Sequence, residues 1–200
     1  MAAIEHEHLT QEMLERYLAT AQNEEGSRML LHLLAVCPEC REAGGMILAA
    51  YRAGAIGTQF SPVDVDLFES RLKARDLWGT LKALPFADAL RRIRRGGEYV
   101  TWGFAELLAR ESRDAGTKDA SRAVDLATLA VEVAMRLTEG QPCEEEWLCQ
   151  LRAFAHAHLV NAYRIACHLR EAEKAQRKAD EAVLRLRGLR PRLPRGSGYG

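Results

Sequence analysis

The sequence predicts an all-α protein, and two observations support this fold class. The 200 residues are 48% hydrophobic and only 6% aromatic, and the apolar share is rich in Leu and Ala and poor in β-branched residues, which favours helix over strand. The apolar residues also recur every three or four positions, which is the period of an amphipathic helix. We therefore expect helices throughout the chain, separated by breaks rich in Gly and Pro.

The overall charge does not select a partner, because 28 basic residues balance 28 acidic ones. The distribution is uneven, since residues 1–50 contain eight acids against three arginines, whereas residues 170–195 contain nine bases against four acids. Such asymmetry can steer a partner or draw the two ends together. The five cysteines are an odd number, and the sequence shows neither a secretory leader nor an apolar run of about eighteen residues. We expect reduced thiols, a cytoplasmic location and no membrane span.

The first predicted domain comprises residues 1–52 and contains three short helices. Thr10 is expected to cap a helix that begins one residue later. Ser27 is expected to cap a second helix that runs to Cys37. A third helix is expected over 41–51, although two adjacent glycines weaken it.

Residues 53–97 are predicted to be a linker and connecting helices. Helices are expected over 63–84 and 87–95, with Pro85 ending the first. The second ends in a basic cluster, formed by Arg91, Arg92, Arg94 and Arg95. Such a cluster could touch nucleic acid, but it is more often a solvated face favoured by the helix dipole. No recognition motif surrounds it, so we expect no nucleic-acid partner.

The segment from His32 to Cys40 is the stretch whose residue types and spacing indicate specific chemistry. Cys37 and Cys40 are separated by two residues, so one tight turn, supported by Pro38, could bring both thiolates to one metal ion. His32 lies about one and a half helical turns upstream and could add a ring nitrogen. Two sulfurs and one imidazole are three of the four ligands of a tetrahedral zinc site.

A structural metal would also explain how so short a helical hairpin stays folded. Its apolar core is too small to offset the chain entropy lost on folding, whereas bound zinc contributes roughly 10 kcal/mol or more of folding free energy. The first helix would supply the fourth ligand, for which His8 is the candidate and His6 its close competitor. We therefore expect structural Zn²⁺ with no open coordination position.

The same region resembles the anti-sigma-factor zinc-finger family over about residues 4–50. The resemblance rests on His8-Leu9-Thr10, Leu14, Tyr17-Leu18, and His32 followed by Cys37-Pro38-Glu39-Cys40. It implies zinc held by His8, His32, Cys37 and Cys40, and regulation of transcription through capture of a sigma factor or another protein. The family usually has three residues between the second His and the first Cys. This chain has four, which places His32 about 100° around the helix from the usual position.

The chain from residue 98 to 187 is predicted to form paired helices, followed by a disordered basic tail over 188–200. The helices are expected over 102–112, from Asp119 to about Leu137, and over 147–167 and 171–186. Trp78, Trp102 and Trp147 are expected to be core anchors at helix junctions. His156 and His158 are two residues apart and lie on different helix faces. We expect one of them near the core and the other exposed, and no shared metal.

These paired helices resemble tetratricopeptide repeats. The resemblance rests on Leu159 and Tyr163 in a first helix, Ala172 and Ala179 in a second helix, and Ala123 and Ala130 in an earlier pair. Cys167 stands at, or one place from, the position where the family has a turn glycine. The resemblance implies binding of a peptide or protein along a concave face.

The sequence thus predicts a non-enzymatic, regulatory interaction module. A zinc-holding domain would be coupled to helical repeats that bind a protein partner, either a sigma factor or a peptide segment. No Ser-His-Asp order, phosphate loop or dinucleotide fingerprint is present in the sequence. The alternative is a thiol-based redox sensor, in which oxidation of Cys37 and Cys40 to a disulfide releases zinc and switches partner binding.

Overall fold

The computed structural model describes residues 8, 10, 12–13, 38–53, 62–138 and 145–189. Helices account for the regular structure in these residues, which confirms the predicted all-α class. Seven helices have both ends in these ranges: α1 (Pro38–Arg52), α2 (Pro62–Leu81), α3 (Phe86–Arg95), α4 (Trp102–Gly116), α5 (Ala120–Arg136), α6 (Glu145–Ile165) and α7 (Leu169–Leu189). One turn of 3-10 helix, Gly97–Tyr99, lies between α3 and α4.

Side-chain caps determine where several helices begin. The hydroxyl of Thr10 accepts a hydrogen bond from the amide of Met13 at 3.2 Å, so the predicted cap at Thr10 is confirmed. Thr101 accepts in the same way at the start of α4, and Asp119 at the start of α5. Each cap satisfies one of the amides that a first helical turn leaves without an intrahelical partner.

The ends of several helices differ from the predicted ones. The helix α2 ends at Leu81, three residues before its predicted end at residue 84. The helix α1 begins at Pro38 rather than at Arg41, because proline suits the first helical position. The turn expected around Pro38 is therefore the first turn of a helix. The helix α4 continues about one turn beyond Ser112. The helix α7 begins at Leu169 and ends at Leu189, two residues into the predicted tail.

Two helical hairpins form the centre of the fold. The helices α4 and α5 are joined by the three residues 117–119, and α6 and α7 by the three residues 166–168, so each pair is antiparallel. The helix α4 also packs against α2 on one side and α6 on the other, which places α2, α4 and α6 in a row. The helix α3 lies against α5, and α1 lies against α2.

One hydrophobic cluster extends from α1 to α6 and includes Cys40 at one end and Ala155 at the other. Its largest fully buried side chains are Phe68, Leu81, Ile93, Phe104, Leu108, Leu129, Leu137 and Leu148. Trp78 and Trp102 are buried and Trp147 packs against the cluster, which confirms the predicted core role of the three tryptophans. Met13, close to the start of the chain, packs against the same cluster.

The helices α2 and α4 cross at backbone distance. The amide of Gly103 donates a hydrogen bond to the hydroxyl of Ser70 at 2.6 Å, and a Cβ atom added to Gly103 would lie 2.5 Å from the Cα of Arg71. Beside this contact, the guanidinium of Arg71 donates two hydrogen bonds to Glu106, at 2.9 and 3.1 Å. The indole N–H of Trp102 donates to the same carboxylate at 2.8 Å. This buried network fixes the angle and register of the two helices.

Small residues line the α6–α7 hairpin. The buried positions of α7 are all alanine: Ala172, Ala175, Ala179 and Ala182. Five of the six positions on which the repeat resemblance rests are buried: Leu159, Ala172, Ala179, Ala123 and Ala130. Side chains of this size let two helix backbones approach closely, which explains why the hairpin is tight despite the few large side chains in α7.

Cys167 ends α6 in a left-handed conformation, with a φ of 58°. The amide of His168 donates to the carbonyl of Tyr163 at 2.8 Å, and the amide of Cys167 donates to the carbonyl of Arg164 at 3.1 Å. These two bonds define a Schellman motif, in which glycine is the usual residue at the position of Cys167. Cys167 thus has the backbone conformation of a turn glycine, and its correspondence to the glycine of the repeat family stays a prediction.

In the described ranges, no helix is long and apolar enough to cross a bilayer.

Candidate functional site

The predicted zinc ligands are only partly within the described residues. His8 is exposed and lies outside any helix, and Cys40 is in the first turn of α1 with 1% of its surface exposed. His32, Cys37 and the competitor His6 lie outside the described residues. Where the structure is described, no three His, Cys, Asp or Glu side chains are close enough to hold a metal ion. The ligand set therefore stays a prediction.

Cys40 lies in a buried environment where two helices meet. It is in the first turn of α1. Leu67 and Phe68 of α2 belong to the same buried cluster, so the sulfur is shielded from solvent. If zinc is bound, Cys40 would hold it at the junction of α1 and α2 and supply a structural link between them.

The helix α6 presents an aromatic stripe, formed by Trp147, Phe154 and His158. These residues are seven and four positions apart, so they lie on one face of the helix. The rings of Phe154 and His158 make an edge contact with centroids 4.6 Å apart, and Trp147 makes an edge contact with Trp102 of α4. Phe154 keeps 36% of its surface exposed. The stripe thus borders the side of α6 that faces α4 and reaches solvent at Phe154.

Charged residues of α4 lie near His158, at one end of the stripe. Burial lowers the pKa of His158 below its ordinary value, and the nearby charges of Arg113 and Arg110 lower it further, against a smaller opposite effect of Asp114. His158 is therefore neutral at pH 7. The charges of α4 that act on the His158 end of the stripe are positive on balance.

The prediction for the two histidines is half right. His156 is buried, with 9% of its surface exposed, as expected for the histidine near the core. The other histidine was expected to be exposed, but His158 is half-buried, because its ring contacts Phe154 and α4 packs against α6. The prediction missed this, since it considered only the faces of one helix.

The arginines at the end of α3 serve in part to attach that helix. Arg94 makes two hydrogen bonds to Glu132 of α5, at 3.0 and 3.1 Å, and Arg91 pairs with Asp88. Arg136 of α5 donates to the backbone carbonyl of Arg94. Two of the four arginines are thus engaged in ion pairs within the fold, as expected for a solvated helix end.

Sequence reasoning treated the three tryptophans and the two histidines separately and did not predict the aromatic stripe. The spacing of Trp147, Phe154 and His158 was a usable signal, because offsets of seven and four place side chains on one helix face. The arginines opposite the stripe could not have been assigned to it, because they belong to another helix.

No family model matches this chain, and no curated protein or solved structure is significantly similar to it.

Proposed function

We propose that the protein is a non-enzymatic interaction module that binds an extended segment of a protein partner along the row formed by α2, α4 and α6. The observation that supports this proposal is the aromatic stripe of α6, which runs beside Arg110 and Arg113 of α4. Exposed faces of stacked helical hairpins are suited to extended peptides. Aromatic side chains and arginines are also the residue types most enriched at protein interfaces.

The chemistry of this face favours a segment with both apolar and acidic side chains. The ring of Phe154 offers an apolar anchor site, and the positive field of the two arginines favours carboxylates. A sigma factor is the candidate partner that the resemblance of the N-terminal region implies. The zinc-holding region would then regulate access to, or orientation of, the bound segment.

Selection of peptides from a random library by the full-length protein tests the proposal. The affinity of an enriched peptide is measured for the wild-type chain and for Phe154→Ala, and we expect a loss of about tenfold or more in the variant. The matched control is Leu184→Ala, since Leu184 is 63% exposed on α7, away from the stripe. Its affinity should stay within about twofold of wild type.

A purified bacterial sigma factor is the second probe in the same assay. Binding that is weakened by Phe154→Ala and unaffected by Leu184→Ala would identify it as a partner of this face. If no peptide is enriched, or if both variants lose affinity equally, the proposed binding face is wrong.

We also propose that zinc is structural and is held by His8, His32, Cys37 and Cys40. Metal analysis of the purified protein should find about one equivalent of zinc in the wild-type chain and much less in Cys37→Ser/Cys40→Ser. Cys149→Ser is the control, because Cys149 is buried in α6 and belongs to another part of the molecule. Unchanged zinc in the double variant would contradict the ligand assignment.

Mild peroxide distinguishes the structural site from the redox-sensor alternative. A structural site retains its zinc under treatment that leaves the fold intact, whereas a sensor releases the metal as Cys37 and Cys40 form a disulfide. Mass spectrometry of the treated protein reports both the metal and the disulfide. Release of zinc together with a change in peptide affinity would replace the structural assignment by the redox one.

A further inference from the structure

The face of α6 opposite the aromatic stripe borders a cleft, and no residue of the stripe lines this cleft. The cleft lies between α5, α6 and α7 and has a volume of about 240 Å³. His156 belongs to this face, because it is two residues from both Phe154 and His158 and a two-residue step turns about 200° around a helix. The residues that line the cleft are Met135, Cys149, Arg152, His156, Lys178, Glu181, Ala182 and Arg185.

The charge of this α5–α7 cleft is positive. Three of its four charged lining residues are basic, Arg152, Lys178 and Arg185, and Glu181 is the one acid, which gives a net charge of +2. Lys178 pairs with Glu181 at 2.9 Å, near the mouth of the cleft where both side chains are exposed. Arg185 is likewise exposed. Basic side chains at the mouth attract an anion from solution.

Arg152 is held rigidly in the wall of the cleft. Its guanidinium donates to the carbonyl oxygens of Ala134 and Leu137 at the end of α5, at 3.4 and 2.9 Å. Both acceptors are neutral, so the positive charge of the guanidinium is not cancelled by a carboxylate in these bonds. A fixed guanidinium is the usual protein group for binding a phosphate or carboxylate.

His156 adds a buried polar group with an unused hydrogen-bonding atom. The side chain is 91% buried, and its Nδ1 has no hydrogen-bond partner in the part of the chain that the structure describes. Burial, with a smaller effect from the charge of Lys178, lowers the pKa of this histidine, so its ring is neutral at pH 7. A buried polar atom without a hydrogen-bond partner is energetically unfavourable. A ligand oxygen in the cleft could receive a hydrogen bond from this ring.

We propose that the α5–α7 cleft binds a phosphate group, with Arg152, Lys178 and Arg185 as its cationic ligands and the ring of His156 as a neutral donor. A phosphomonoester has a charge of about −1.5 to −2 at pH 7, which matches the net charge of the cleft. The cleft volume of about 240 Å³ leaves room for a phosphate with a short attached group. This proposal does not depend on the proposed peptide-binding face.

Titration with two phosphate probes tests the site and shows whether the phosphate group comes from a protein or from a small molecule. The full-length protein is titrated with inorganic phosphate and with a short phosphoserine peptide at constant ionic strength, and the ¹⁵N resonances of the His156 ring are followed. We expect a saturable shift with at least one probe. Tighter binding of the peptide would assign the phosphate to a protein partner, and equal binding would assign it to a free phosphate or small phosphate ester; both outcomes support the site.

Two double variants with the same loss of charge distinguish specific binding in the cleft from nonspecific electrostatic attraction. Lys178→Gln/Arg185→Gln removes both basic residues at the mouth and should weaken phosphate binding by about tenfold or more. Arg177→Gln/Arg187→Gln removes the same charge from exposed positions of α7 outside the cleft, and affinity should stay within about twofold. Circular dichroism confirms that both variants are folded.

Two results would overturn the proposal: the absence of a saturable shift with either probe, and equal weakening in the two double variants. Phe154→Ala should retain phosphate binding, because Phe154 lies on the other side of α6. A failure of the peptide-binding proposal is thereby distinguished from a failure of this one.

Discussion

Cys167 shows how one residue can limit the stability of a helix end. Its φ of 58° is a conformation that costs a residue with a Cβ atom about 1 kcal/mol and costs glycine very little. We expect Cys167→Gly to raise the free energy of unfolding by about 1 kcal/mol, measured by urea denaturation. Ala166→Gly, one position earlier, is the control and should be destabilising or neutral. A loss of stability in Cys167→Gly would show that its side chain contributes more than its backbone costs.

Among the glycines that the structure describes, Gly103 has the closest contacts with backbone atoms of another helix. In Gly103→Ala the new methyl would lie 2.5 Å from backbone atoms of Arg71 and 2.6 Å from the backbone of Ser70, so α2 and α4 would have to separate. We expect a loss of about 3 kcal/mol or more in unfolding free energy, since backbone cannot shift as a side chain does. The measurement is a comparison of urea denaturation curves.

Gly79 provides the matched control for Gly103. It lies in α2, and a Cβ atom added there would meet nothing within 4 Å. Gly79→Ala should therefore stabilise the protein by about 0.5–1 kcal/mol through helix propensity alone. Equal effects of the two substitutions would mean that the close crossing does not exist in solution.

These two residues differ in how far the sequence could predict them. The place of Cys167 was expected, because the helix pattern breaks there and the repeat resemblance has a glycine at or near that position. The need for glycine at residue 103 was not, because it follows from the approach of α2, whose contacting residues are more than thirty positions earlier in the chain. The pattern of neighbouring residues predicts where a helix ends, but it does not predict contacts between distant segments of the chain.

The helix α6 makes the fold sensitive to acid. Burial lowers the pKa of His156 and of His158, with further lowering by Lys178 for the former and by Arg113 and Arg110 for the latter. Both groups bind protons more weakly in the folded state than in the unfolded state. Their stabilising contribution is complete above the unfolded pKa of about 6.5 and is lost as pH falls below it.

Unfolding measurements at about pH 7.5 and about pH 5.5 test this dependence. We expect a decrease at the lower pH, of at most about 1.4 kcal/mol per pH unit for each histidine. His156→Gln/His158→Gln should show a smaller decrease than the wild-type chain. His168→Gln is the control, because His168 is exposed at the start of α7, and its pH dependence should match wild type.

The helices themselves follow closely from the sequence, and their ends follow less well. The cap at Thr10 depends on a side chain next to the helix, so it was predictable. The predicted end of α2 at Pro85 was wrong, since α2 ends at Leu81 and Pro85 instead precedes the first residue of α3. The start of α1 at Pro38 was missed because the cysteine spacing favoured a metal-binding turn. The zinc site itself was inferred from residue types and family resemblance, and most of its ligands lie outside the described residues.

Stability is unevenly distributed over the whole molecule. The helix α4 buries Phe104, Leu107 and Leu108, whereas the buried positions of α7 are alanines. Burial of apolar area contributes about 25 cal/mol per Å², so α7 gains far less from its contacts. We expect amides of α7 to exchange with solvent deuterium before those of α4 and α5, measured by hydrogen exchange with mass spectrometry. Equal protection of α4 and α7 would contradict this order.

The arrangement of the hairpins was only partly predictable. Pairing of α4 with α5 and of α6 with α7 follows from short connections between amphipathic helices. The row of α2, α4 and α6 and the single cluster that extends from Cys40 to Ala155 depend on contacts between distant segments. For this reason neither the aromatic stripe nor the phosphate-binding cleft, which both lie between helices, could be assembled from sequence alone.

The crossing at Gly103 also limits how α2 and α4 can move. The hydrogen bond from Gly103 to Ser70 opposes sliding of one helix along the other. The ion pair between Arg71 and Glu106, one turn further along α4, opposes rotation about the same point. The two helices are therefore expected to move as one rigid unit. Arg113 lies ten residues beyond the crossing, about 15 Å along α4, so any displacement of α2 carries this arginine with it.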